Sequence, residues 1–180
     1  MKALFYKMKQ FFLAFFFLPI VNLGIAQTGS SSGDSIRTRT RFIYLEIGGS
    51  GGFGSVNYEQ FIFQKKELAI AARIGISSYH LKDFQNKFNP DILLPLSFKA
   101  LYGKTHKAEI GIGETFTSAI YASETNFKPK RELTTHTHFL LGYLYQQPKG
   151  GIIAGIAYTP ILELNRYFKH WVGISIGYSF

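Results

Sequence analysis

The segment His170 to Phe180 reads H-W-V-G-I-S-I-G-Y-S-F and restricts the fold more than any other stretch. Val172, Ile174, Ile176, Tyr178 and Phe180 are large and apolar; Gly173, Ser175, Gly177 and Ser179 between them are small. Residues two apart on an extended chain share a face, so this period specifies a strand with one bulky apolar side and one small side. A closed barrel with lipid outside and a crowded interior suits such a strand. A half-buried strand of a soluble sheet shows the same pattern, so the rest of the chain has to decide.

The alternation recurs. Leu68, Ile70, Ala72, Ile74 and Ile76 stand against Ala69, Ala71, Arg73, Gly75 and Ser77. Ile92, Leu94, Leu96, Phe98, Ala100 and Tyr102 stand against Leu93, Pro95, Ser97, Lys99 and Leu101. Segments 107–118 and 151–159 behave alike. Glycine, aromatic and β-branched residues dominate, which favours strands, and no long stretch has a helical period. The pattern predicts about eight strands, near 42–49, 53–63, 67–78, 91–102, 107–118, 133–146, 151–159 and 170–180.

Connection lengths add a second signal. Gln64-Lys65-Lys66, Gly103 to His106 and Gln147 to Gly150 read as tight polar turns. Tyr79–Pro90, Ala119–Glu132 and Pro160–Lys169 read as longer loops. Short turns alternating with long loops are the signature of an up-and-down transmembrane barrel. The first connection, Gly48 to Gly52, breaks the trend: it belongs on the long-loop side yet is short and glycine-rich. It lacks the Lys-Ser/Thr of a nucleotide-binding loop and no helix follows, so it reads as a flexible turn or a place where strands pack closely.

Residues 1–26 have the form of a secretory signal. Lys2, Lys7 and Lys9 precede the apolar run Phe11–Leu18, and Gly24-Ile25-Ala26 offers a cleavage site. Residues 27–41 begin as a Gly/Ser linker, and 42–180 is long enough for one domain. Removing the signal lowers the net charge from +9 to +6. An exported basic chain meets lipid headgroups rather than nucleic acid. The absence of cysteine excludes disulfides and thiolate metal sites.

On the second faces of five successive strands fall Glu46, Glu59, Arg73, Lys99 and Glu109. A mid-strand charge is costly unless paired or wet. Three acids and two bases facing one narrow interior can pair, and eight strands enclose too little space for an open pore. The expectation is an ion-paired, side-chain-filled lumen. Glu114 breaks the apolar face of its strand, so it belongs at a rim or at a bulge that turns it inward. Pro95 forfeits a ladder hydrogen bond and predicts a local bulge.

Two constellations carry candidate chemistry. His136 and His138 point the same way on one strand and could share a metal with a third ligand, but His106 sits at the opposite end. Glu114, His136, His138, Ser118 and Ser123 could approach one another on one hairpin in the manner of an acyl-transfer site. No catalytic residues are assigned on this basis, and no metal or cofactor. The loop Thr125 to Arg131 is basic around Phe127 and reads as a solvated tip with lipopolysaccharide phosphates as plausible neighbours.

Taken together, the signal, the alternating strands and the terminal Tyr178-Ser179-Phe180 resemble the small outer-membrane β-barrel proteins, particularly the uncharacterised barrels of Bacteroidetes-type bacteria. The resemblance implies a single all-β, antiparallel up-and-down transmembrane barrel in the outer membrane. It implies that Tyr178 and Phe180 act as an assembly signal for the barrel-assembly machinery. With the rest of the sequence, the expectation is a monomer with a structural or surface-interaction role, in contact with outer-membrane lipid and lipopolysaccharide. The alternatives are a lipid A-modifying enzyme and a soluble lipocalin-like periplasmic barrel; the latter requires the apolar faces to point inward. The deacylase-like barrels carry a histidine followed two residues later by serine and asparagine, whereas this chain has His136-Thr137-His138.

Overall fold

The computed structural model describes residues 39–123, 127–163 and 168–180. The expected signal, the expected linker up to position 38 and part of the basic loop tip lie outside the described residues. The alternating segments form β1 (Arg41–Gly48), β2 (Gly54–Lys65), β3 (Leu68–Ser77), β4 (Ile92–Tyr102) and β5 (His106–Ala122). They continue with β6 (Pro129–Gln146), β7 (Gly151–Tyr158), β8 (Ile161–Glu163), β9 (Phe168–Lys169) and β10 (Val172–Ser179). Every named pair is antiparallel. β10 pairs with both β1 and β7, and β5 pairs with both β4 and β6, so the ring closes. β8 keeps the register in which β7 pairs with β6, which makes it the continuation of β7 beyond Pro160. The barrel is therefore eight-stranded and up-and-down, as the alternation predicts, with β8 and β9 forming a short annex.

A row of directly opposed residues leaves β7 at Ile152 and passes Tyr178, Ile43, Tyr58, Ile74, Leu96, Glu114 and Thr137. It returns at Leu162, ten positions along from 152. That displacement tilts the strands by roughly 40° and sets a narrow bore. The row climbs toward the end bearing the longer connections, hereafter the loop end; the opposite rim is the short-turn end.

Alternation decides which side chains enter. In β1, Phe42, Tyr44 and Glu46 are buried, while Ile43, Leu45 and Ile47 are exposed on the outside, Ile47 to 74%. The outward faces of β3, β7 and β10 carry Ile74, Ile76, Ile156, Ile174 and Ile176, all at least half exposed. The interior near the short-turn end is an apolar floor of Phe42, Phe61, Ala69, Ala71, Leu101, Leu144 and Ile153.

Two local expectations need correction. Pro95 causes no bulge: Ile74 pairs with Leu96, two pairs are skipped, and Ser77 pairs with Leu93 in the same register. The missing N–H falls on the β3 side, while the β5 side stays regular through Pro95 and Thr115. Opposite lies Gly75, where an added Cβ would sit 2.9 Å from the proline ring, so glycine makes the room. The bulge is instead in β2 at Ile62, between the pairs Phe61–Ala71 and Phe63–Ile70. It lets Phe61 enter the floor while Phe63 faces out. Finally, most of the loop expected over 119–132 is ladder, paired as far as Ala122 and Pro129.

Candidate functional site in the barrel interior

Above the apolar floor, the fold brings Glu46, Glu59, Arg73, Lys99 and Glu109 together, each at most 6% exposed. Cross-strand pairing does the positioning. Glu59 lies directly opposite Arg73, while Lys99 and Glu109 come from the adjacent strands β4 and β5. The Arg73 guanidinium grips Glu46 with two nitrogens: Nη1 donates to Oε1 at 3.3 Å and Nη2 donates to Oε2. Its Nε donates to Asn57 Oδ1 at 3.0 Å. Lys99 Nζ lies 2.7 Å from Glu59 and 2.8 Å from Glu109. Tyr44 donates its hydroxyl to Glu59 Oε2 at 2.9 Å, and its ring lies beneath both cations, 5.5 Å from Arg73 and 5.9 Å from Lys99. Planar, bidentate pairing with extra hydrogen bonds is what lets buried charges persist.

Glycines supply the volume for these long side chains. An added Cβ at Gly111 would meet Lys99 Cγ at 2.9 Å, at Gly142 Glu109 Oε1 at 2.8 Å, and at Gly173 Glu46 Oε1 at 3.1 Å. The residual space among these residues is about 10 Å³, about what one water needs. Sequence reasoning overlooked Tyr44 and Asn57. The signal was present, because Tyr44 shares the parity of Glu46 and Asn57 that of Glu59.

The loop end of the interior is occupied by backbone. Gly49–Gly51 form a 3-10 turn that folds back into the barrel, with Gly49, Ser50 and Gly51 buried. Of the two readings of this segment, a flexible turn or a place of close packing, the structure has the second. Gly48, Gly49 and Gly52 hold φ of 75°, 72° and 81°, which residues with a side chain rarely adopt. Ser77 donates to the Gly51 carbonyl at 2.5 Å and Thr115 to the Ser50 carbonyl at 3.0 Å. With its own hydrogen given to Ser50, Thr115 Oγ1 accepts from His138 Nδ1 at 3.2 Å. His138 is fully buried, and its ring covers Gly113, where an added Cβ would sit 2.5 Å from Nε2.

The remaining candidates do not converge. His136 and His138 face inward, while Glu114 stays on the outward face without any bulge and accepts the Thr137 hydroxyl at 2.8 Å. Six strands along the climbing row from Ile152, it lies toward the loop-end rim. Ser118 shares that outward parity and is engaged by Arg131 at 3.0 Å. Histidines and carboxylate are thus on opposite sides of one sheet, and the separation follows from the period of two. Among the described residues no three His, Asp or Glu side chains come together as a metal site. His106 lies at the short-turn end and bonds the Tyr143 hydroxyl. Tyr178 is 59% exposed and Phe180 43%, with the Phe180 N–H bonded to the Arg41 carbonyl.

No protein-family model and no curated protein matches the chain. Among solved structures, the N-terminal β-barrel domain of OprF from Pseudomonas aeruginosa is similar in fold. The match covers 79% of this chain and 98% of that domain at 13% identity, with a TM-score of 0.55. The likeness shows that this chain shares the β-barrel fold of that domain.

Proposed function

We propose that this chain is an integral outer-membrane β-barrel protein of a Gram-negative, Bacteroidetes-type bacterium. In this reading it is a monomer delivered by the barrel-assembly machinery, with a filled interior that conducts nothing and no catalytic activity. Its role is structural or one of surface interaction through the loop end, beside lipid and lipopolysaccharide. One observation carries the reading: the apolar faces of the closed ring point outward and the charges inward, as for Ile174 at 60% exposure and Arg73 at 3%. Water penalises such an exterior and lipid rewards it. A soluble, ligand-binding barrel needs the reverse arrangement.

The test is a gel of outer-membrane fractions, unheated against boiled. A closed barrel keeps every strand edge paired in cold detergent and migrates differently from its boiled form. Enrichment in that fraction with a mobility shift is the expected result. Recovery from the soluble periplasm without a shift sinks the proposal.

A further inference from the structure

The two rims differ in charge. At the short-turn end stand the exposed bases Arg39, Arg41, Lys65, Lys66, Lys104 and Lys149. Glu67 is the acidic side chain described there, and it lies 3.7 Å from Lys104. All three tight turns contribute at least one of these lysines. At the loop end acid and base interleave: Lys130 pairs with Glu132 at 3.0 Å and Lys169 with Glu163 at 2.5 Å.

The placement of two bases is informative in itself. Arg41 lies on the outward face of β1, two residues from Ile43, and Lys65 lies opposite Leu68 on the outward side of the β2–β3 ladder. Both therefore continue an apolar face just where it ends. A long basic side chain at that position lays its stem on apolar surface and sends its charge to the headgroup layer. Tyr102 and Tyr178, both about 60% exposed on the outside, ring the same margin.

Resting on the membrane reading above, we propose that the short-turn rim is a binding surface for anionic phospholipid headgroups of the leaflet in which it stands. The six bases form an incomplete collar that concentrates phosphodiester lipids around this end. Each base near an anionic surface adds to the attraction, so the effect of the collar grows with the number of bases in it. The collar also fixes the depth of the barrel, because moving it inward would drag the charges out of the headgroups.

The experiment uses the full mature chain reconstituted in vesicles of equal phosphatidylglycerol and phosphatidylcholine. After mild detergent extraction, the ratio of the two lipids retained is measured by mass spectrometry. Wild type is expected to retain phosphatidylglycerol preferentially. The variant Lys65→Gln/Lys66→Gln/Lys104→Gln/Lys149→Gln should lose about tenfold of that preference, and the matching Lys→Arg set should keep it. A loop-end control, Lys128→Gln/Lys130→Gln, should also keep it. No preference in wild type, an unchanged preference in the glutamine set, or equal loss in the control overturns the proposal. Absence in wild type would leave the bases to an acidic polymer or protein. The mobility-shift gel run on each sample separates this failure from that of the barrel reading, which shows as no shift for wild type in any vesicle.

Discussion

The lower and middle storeys of the interior are filled by opposite chemistries. The floor of Phe42, Phe61, Leu101, Leu144 and Ile153 is held mainly by apolar contact, while the storey above is held by Arg73, Lys99 and their three carboxylates. The floor tolerates approximation, because an apolar neighbour can relax into a gap at a cost set by the residual cavity. The ionic storey does not, because removing one member strands another buried charge. The lesson is that the same bore is guarded by volume at one level and by stoichiometry at the next.

Predictions follow from that contrast in order of size. Arg73→Ala should cost about 3–5 kcal/mol, since Glu46 then loses its buried partner. The midpoint of the mobility shift in a heat or urea series measures it. Pairing Arg73→Met with Glu46→Leu should recover much of the loss, whereas simple additivity would contradict the ionic account. Leu101→Ala in the floor should cost about 2–5 kcal/mol with no such rescue by a second truncation. On the outside, Ile174→Arg should cost about 2–4 kcal/mol in vesicles and impair insertion; a neutral result would argue against lipid at that face. Gly49→Ala should cost about 1–3 kcal/mol, since φ is 72° and the new methyl would sit 2.4 Å from the Glu46 carboxyl carbon. Smallest is Thr137→Val, which removes the hydroxyl bonded to Glu114 and should shift the midpoint by about 1 kcal/mol.

Much of the architecture was legible because a period of two carries it directly. The inward placement of Glu46, Glu59, Arg73, Lys99 and Glu109 needed no more than parity and an apolar opposite face. What escaped depended on matching between strands. Pro95 is accommodated by Gly75 across the ladder, a partnership invisible until register is known. The bulge at Ile62 turns Phe63 to the outside, yet three apolar residues in a row can alternate without one, so nothing local marks it. The Gly48–Gly52 turn has a sequence that permits an outward or an inward path. Its choice rests on Ser77 and Thr115, which lie 26 and 65 positions away from the carbonyls they bind. Glu114 and His136 looked like neighbours because their strands form a hairpin, but parity separates them.

The unequal lengths of the strands give the loop end a profile. β1 has 8 residues and β5 has 17, and the β5–β6 ladder runs four residue pairs past Ser118, the last partner of β4. At the strand rise and tilt of such a barrel those four pairs stand about 10 Å above the β4 rim. On the far side, the chain turns back into the bore at Gly49. The loop end therefore sets two kinds of surface side by side: a paired hairpin rising above the β4 rim, and the main chain of the Gly49–Gly51 turn lying across the bore, so a path along the barrel axis meets peptide groups before it meets the buried charges.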